Sequence, residues 1–262
     1  MTSDARGFPF TQNDDDKMPP KIRTPVIIDG KPRRSVTEVV ALLGLHTDRL
    51  IEAATACAFR GTVFSRLRDE AAALGTAVHA RIERDLRGIP QPEFDPFDQS
   101  TWHRACELHE AWRLHDFAYP MIESDADEVL IEHKIIGQRT HGTVDAMTRK
   151  AMSLELGACG AQVRRKSRIK DIKTSSTGRP TLENQIQQAG YVRLEEECGN
   201  EVVDSTLIVI NKGNDRVKSF TMSREEIEPL CMVFDRLVVL SWALDDMGLT
   251  IDITKGSEGN DY

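Results

Sequence analysis

The chain has 262 residues, 40% of them hydrophobic, which is enough to build a real core in one large domain and argues against wholesale disorder. A formal net charge of −8 argues against a surface coated in cations for nucleic acid, although an acidic body can still carry a local basic groove. No run of 18 uninterrupted apolar residues is present, so no transmembrane helix is expected.

The opening stretch, "MTSDARGFPFTQNDDDKMPP", lacks the apolar segment of a signal peptide, and residues 1–24 read as a flexible leader. "TPVIIDGKPRR" is a short apolar run with a DG turn. Ser35 and Glu38 then have capping-box spacing ahead of Val39, Val40, Leu42 and Leu43, which predicts a helix start. A short helix is expected near 48–58 and a long one over about 65–87, where Leu74, Val78, Ile82 and Leu86 recur every four residues. Gly88, Pro90 and Pro92 stop it. Another helix is expected near 99–117, carrying Trp102, Leu108, Trp112 and Leu114.

The texture then turns to strands. "DEVLIEHKIIG" and "THGTVDAMTRK" read as a hairpin turning at Gly137–Thr140. "AMSLELGA" is a third candidate strand, "CGAQVRRKS" a basic flexible stretch, and "RIKDIKTS" a further strand. "TLENQIQQAGYVRLEEEC" is helical and stops at Gly199-Asn200. "EVVDSTLIVINKG" and "DRVKSFTMS" form a β pair, and 224–248 an amphipathic helix with Pro229 in its first turns. The order predicts an α+β or α/β fold with a mixed sheet, as one domain over 25–250 with a loose tail, 251–262.

Four patterns carry chemistry. His79, in "GTAVH", sits one position off the apolar stripe of the long helix, with Glu83 one turn on. A solvent-facing pair would read the same way. Asp145, in "HGTVDAM", is an acid between apolar neighbours on a strand, costly to bury unless paired or bound to a cation. Asp171 and Lys173 project from one face of a strand while Ile172 points into the core. Gln187 and Tyr191 are a turn apart on a helix, with Asn184 and Gln188 beside them. Each pattern alone is compatible with an ordinary wet surface.

In this order and on these elements, the four patterns resemble the RecB-like branch of the PD-(D/E)XK nuclease superfamily, including the RecB-like exonucleases of bacteriophages. The likeness spans about residues 35–210. It implies a restriction-endonuclease-like αβββαβ core. It implies that His79, Asp145, Asp171 and the Ile172 carbonyl ligate Mg²⁺ or Mn²⁺, that Lys173 acts beside the attacking water, and that Gln187 and Tyr191 position the phosphate backbone. Glu83 and Glu132 are second-tier candidates. Phosphodiester hydrolysis suits such residues, because a hard ion on oxygen ligands supplies a hydroxide-like nucleophile and charge neutralisation. A lysine beside that cation should have a lowered pKa.

The run Arg164, Arg165, Lys166, Arg168 and Lys170, with Arg179 after it, is the expected DNA-contact rim, to which Arg33 and Arg34 could add. The five cysteines are scattered, which fits free thiols in a reducing cytoplasm. Only Cys198 and Cys231 follow Tyr191, far apart, so no iron–sulfur cluster is expected. No Walker A motif is present, so no nucleotide cofactor is expected and any helicase or recombination partner is a separate chain. The expected activity is metal-dependent DNA exonucleolysis in recombination, repair or phage DNA processing, in the cytoplasm of a bacterial or phage-infected cell. The partner would be linear duplex or single-stranded DNA ends. An endonuclease, an RNA-directed nuclease and a catalytically silent binding module are the alternatives, and homo-oligomerisation is left open.

Overall fold

The computed structural model describes residues 26–248 apart from 29, 45–46, 93–97 and 158–159. The leader over 1–24 and the tail over 251–262 lie outside the described residues. The chain opens with a hairpin, β1 (Val26–Ile28) and β2 (Lys31–Arg33), turning through Gly30 at φ +73°. Helix α1 (Val36–Ala41) follows, and both bonds of the Ser35–Glu38 capping box are made. Three more helices come before the sheet: α2 (Thr47–Phe59), α3 (Phe64–Leu86) and α4 (Gln99–Ala118). Asp98 caps α4 by accepting from the Ser100 and Thr101 amides.

The sheet strands are β3 (Glu128–Ile136), β4 (His141–Gly157), β5 (Gly160–Ser175), β6 (Glu201–Asn211) and β7 (Val217–Ser223), adjacent in that order. Helix α5 (Leu182–Glu197) is the crossover between β5 and β6, the one parallel pair, and the other pairs are antiparallel. Helix α6 (Arg224–Asp246) closes the fold. The class is therefore α+β, with a mixed five-stranded sheet between helices.

Two apolar clusters hold the layers together. On one face, Val36 and Val39 of α1, Ile186 and Ala189 of α5, and Phe234 of α6 pack with Val144 and Ile169 of the sheet. On the other, Val78 and Ile82 of α3 and Leu108 and Trp112 of α4 pack with Ala146, Ile172 and Ile208. Full burial of such a side chain contributes about 1.5–3 kcal/mol each. Leu114, expected among the apolar residues of α4, is exposed instead. Gly190 lets three helices meet, since a Cβ there would stand 2.7 Å from both Phe234 and Val36.

The strand assignments around 151–167 change. Residues 151–157 form no separate third strand, and 160–167 are not a flexible stretch; 158–159 lie outside the described residues. Residues up to Gly157 continue β4, and β5 starts at Gly160. One irregularity between Ala151 and Ser153 keeps the ladder in register, so Leu154 pairs with Val163 and Gly157 with Gly160. Backbone pairing overrides the local signal of the arginines there, because each charged residue needs only a solvent-facing place on a strand. No helix among the described residues is long and apolar enough to cross a membrane. The four described cysteines, Cys57, Cys106, Cys198 and Cys231, are free.

Candidate metal centre

The centre lies where β4 parts from β5. Their ladder runs to the Ala146–Lys170 pair and stops. The amide of Ile172 instead donates to Asp145 Oδ2 at 2.6 Å, so a carboxylate takes the place of a backbone carbonyl. On the other side, β3 and β4 both change face at this level. Ile131 packs with the α3-side cluster but Ile135 with the α5-side cluster, and Ala146 and Val144 divide the same way. A regular strand keeps residues two or four apart on one face. The switch falls at Glu132, whose φ is +49°, and at Asp145 opposite it, between the Ile131–Ala146 and His133–Val144 pairs. Helix α3 brings the third group. Val78 and Ile82 anchor it on the sheet, and Gly75 allows close approach, since a Cβ there would lie 3.1 Å from Thr174 Oγ1.

His79 Nδ1 lies 3.6 Å from Asp145 Oδ1. One ligand atom from each of His79, Glu132 and Asp145 falls within 4.8 Å of the others. These three line a cleft with Ile82, Glu83, Leu86 and Ile172. Asp171 belongs to the same charge cluster but not to that triad. It is only 2% exposed, and Lys173 Nζ stands 2.6 Å from its Oδ2. That ion pair occupies the buried oxygen. Ile172 is buried in the α3-side cluster, as expected of the residue between them. Glu83 reaches the cleft rim but is held by Arg87 at 2.8 Å.

The electrostatics are dominated by too many acids in a confined space. Burial and the charges of Asp145 and Glu83 push Glu132 up to about 7. Burial pushes Asp171 up to about 6, with Lys173 opposing and Asp145 adding to the rise. Burial also disfavours the charged form of Asp145, but His79, Lys173 and the Ile172 amide outweigh it and lower its pKa. For His79, burial opposes protonation and the neighbouring Asp145 and Asp171 overcome it, raising the pKa. Lys173 departs from expectation. Its pKa is raised, because Asp171, Asp145 and Glu132 outweigh burial. The expected lowering presumed a cation beside the ammonium, whereas the protein's own groups there are carboxylates.

On α5, Gln187 Nε2 donates to Tyr191 Oη at 2.7 Å and to Thr37 Oγ1 at 3.0 Å. Thr37, on α1, was not legible as a partner, since nothing in the sequence links it to a helix so far downstream. The Tyr191 ring is buried against Gly142, where a Cβ would meet ring carbon Cε1 at 2.6 Å. Burial and the charges of Asp171 and Asp145 push its pKa well up. The amide face is narrower than expected. Gln188 is fully buried and accepts from Ser205 Oγ, and Asn184 caps its own helix with Thr181.

The residues expected to form the basic rim are spread along β5. An extended strand advances roughly 3.3 Å per residue, so Arg164 stands on the order of 20 Å along β5 from Asp171. Arg165 faces Glu128 at 3.8 Å, Lys166 faces Glu201 at 3.7 Å, and Arg168 faces Asp204 at 3.4 Å. Lys170 is buried and held by Glu123 at 2.6 Å. Arg34 is held by Asp245 at 2.7 Å, and Arg33 lies over the Trp242 ring. Of the expected rim, Arg179 is exposed beyond the end of β5 nearest the centre.

The donor set fits a divalent cation. An imidazole and two carboxylates converge at one cleft. A pH prediction follows. A carboxyl whose pKa rises from 4.5 in the unfolded chain to about 7 in the fold binds more protons when folded between those values. Stability is then lost as pH rises through that window. Glu132→Gln removes the ionisation. The metal-free variant should melt above wild type at pH 8, by about 1–2 kcal/mol because water reaches part of the side chain, and should match it near pH 4. Thermal melts in chelator across that range check this.

No protein-family model matches the chain, and no curated protein does. Among solved structures, one described as the crystal structure of SSO0001 is similar to 82% of this chain over 79% of its own, at 16% identity and a TM-score of 0.39. A likeness that loose leaves fold and site to be argued from this chain's own residues.

Proposed function

We propose that the chain is a metal-dependent deoxyribonuclease of the RecB-like PD-(D/E)XK kind, acting on DNA ends as an exonuclease. The observation that carries this reading is the convergence of His79 from α3, Asp145 from β4, and Asp171 with Lys173 from β5, at the point where β4 leaves β5. The element order supports it: α3 and α4, then three antiparallel strands, the crossover helix α5 and parallel β6, as an αβββαβ core requires.

His79 and Asp145 anchor the cation in this reading, with the neighbouring acids completing its surroundings. A bound Mg²⁺ or Mn²⁺ supplies charge neutralisation and a more acidic water. The protein's own groups do the rest. The Ile172 amide fixes Asp145, so its second oxygen keeps one orientation. Lys173 presents a protonated ammonium, stabilised by Asp171, to charge developing on a phosphoryl oxygen. Tyr191 and Thr37 hold the Gln187 amide in place beside the centre as a polar contact for the backbone.

Lys173→Ala tests the assignment. The expected result is a loss of roughly 10²–10³-fold in DNA cleavage with Mn²⁺ binding retained. Unchanged cleavage would overturn the role given to Lys173 and, with it, the nuclease reading.

A further inference from the structure

The apolar stripe of α3 runs on past its cover. Val78 and Ile82 are buried against the sheet. Toward the helix start the stripe continues through Leu74, Ala71 and Leu67, and there it borders a cavity of about 410 Å³. Leu67 is 41% exposed. The other walls are the start of α4, from Asp98 to Arg104, and Lys212 in the turn after β6.

The charges around the cavity are met, except one. Glu70 pairs with Arg66 at 2.9 Å. Asp98 accepts from the amides and hydroxyls of Ser100 and Thr101. Arg104 pairs with Asp215 and Glu107. Lys212 forms no ion pair among the described residues, and burial lowers its pKa with no carboxylate to offset it. An ammonium drawn partly out of water without a counter-charge favours an anion. The cavity therefore offers one unmet positive charge beside an uncovered apolar wall.

Both walls are tied to the end of β5 that carries Lys173. Gly75, next to Leu74, packs on Thr174, and the Lys212 amide donates to the Ser175 carbonyl at 2.8 Å. Leu74 and His79 share α3 and stand roughly 7.5 Å apart along its axis. A ligand in the cavity is a neighbour of one at the metal centre.

We propose that the cavity receives one nucleotide of the DNA strand being cut, close to the scissile bond, with its phosphodiester on Lys212 and its base over Leu67 and Leu74. A phosphodiester carries one negative charge, which matches the one unmet cation. A base has a flat face that can lie on a side-chain platform whatever the sequence. Ligand pockets run to about 300–1,000 Å³, so this one has room for a nucleotide and none for a duplex. The strand entering it is therefore unpaired. The proposal rests on the nuclease reading and adds where, beside the centre, the strand is held. A free mononucleotide offers the same chemistry, and the test separates the two.

The test is fluorescence anisotropy of a labelled oligothymidylate with the full chain in chelator, where the strand stays whole. Wild type is compared with Lys212→Gln, with Ala71→Trp, which fills the cavity, and with Lys31→Gln, whose lysine pairs with Asp246 on another part of the surface. Thermal melts confirm that each variant folds. Lys212→Gln and Ala71→Trp should each weaken strand binding by about 5–10-fold. Lys212→Gln should also flatten the slope of log affinity against log salt by roughly 0.7, the share of one phosphate contact on a single strand. Lys31→Gln should change affinity by less than about 2-fold. Wild-type affinity and salt slope in a folded Lys212→Gln protein would overturn the proposal, and so would a wild type that binds no strand. Calorimetry with thymidine monophosphate separates the sources. Lys212-dependent binding of the mononucleotide, with strand affinity unchanged in both cavity variants, gives the cavity to a free nucleotide and overturns the proposal. Cleavage in Mn²⁺ is scored in parallel. A strand held through Lys212 but never cut overturns the nuclease reading and leaves the strand site standing. Cleavage by wild type, with strand binding unchanged in Lys212→Gln, overturns the strand site alone.

Discussion

Asp145→Asn should lower metal-dependent DNA cleavage by roughly 10³-fold, the largest activity effect expected of any single change in the chain. Asp145 does three things at once. It accepts the Ile172 amide at 2.6 Å, closes on His79 at 3.6 Å, and contributes charge to the cluster around Glu132, Asp171 and Lys173. Asparagine is nearly isosteric, and its carbonyl oxygen can still take the Ile172 amide, so the strand geometry survives. Its amide cannot supply negative charge. Two consequences separate this from simple unfolding. Mn²⁺ binding should fall with activity, and the His79 pKa, which Asp145 helps raise, should drop in an NMR titration of the metal-free protein. Retained cleavage in a folded Asp145→Asn protein would remove this residue from the site.

Glu195→Ala should produce the largest loss of stability. Glu195 is fully buried on α5. Its oxygens take two bonds from the Arg149 guanidinium, at 2.7 and 2.8 Å, and further bonds from Ser167 Oγ at 2.6 Å and Asn200 Nδ2 at 2.9 Å. Truncation leaves a largely buried arginine with only Glu128, at 3.3 Å, for a partner. Breaking a buried pair from one side costs about 3–5 kcal/mol, against near-neutrality when both partners become apolar. For a domain of this size that corresponds to a fall of roughly 6–20 °C in Tm. The double variant Arg149→Met with Glu195→Leu should recover most of it, and calorimetric melts of the two single variants and the double form the cycle. Equal losses in Glu195→Ala and the double variant would mean that the stranded Arg149 guanidinium is not the source of the cost. Because Glu195 ties α5 to β4 and β5, and α5 also carries Gln187 and Tyr191, some activity should fall with it.

Much of the architecture is legible from local chemistry. The four-residue spacing of Leu74, Val78, Ile82 and Leu86 gives α3 and its inward face, and Ser35 with Glu38 gives the start of α1. The candidate residues His79 and Asp145, and Asp171 and Lys173, lie close to one another. What escaped depends on partners distant in the chain. The face switch at Glu132 is a property of two paired strands and leaves no periodicity in either alone. The arginines before Asp171 looked like a rim because they are close in sequence. An extended strand carries them away, and Glu128, Glu201 and Asp204 neutralise them from other elements. Thr37 meets Gln187 only because α1 packs across α5.

Metal-dependent cleavage of DNA from its ends can be read in one time course. End-labelled linear duplex and covalently closed circular DNA are incubated with the wild-type chain in Mn²⁺, in Mg²⁺ and in chelator. The linear molecule should shorten progressively with either ion and not in chelator, and the circle should stay intact. Linear DNA left whole in both ions would contradict the nuclease reading.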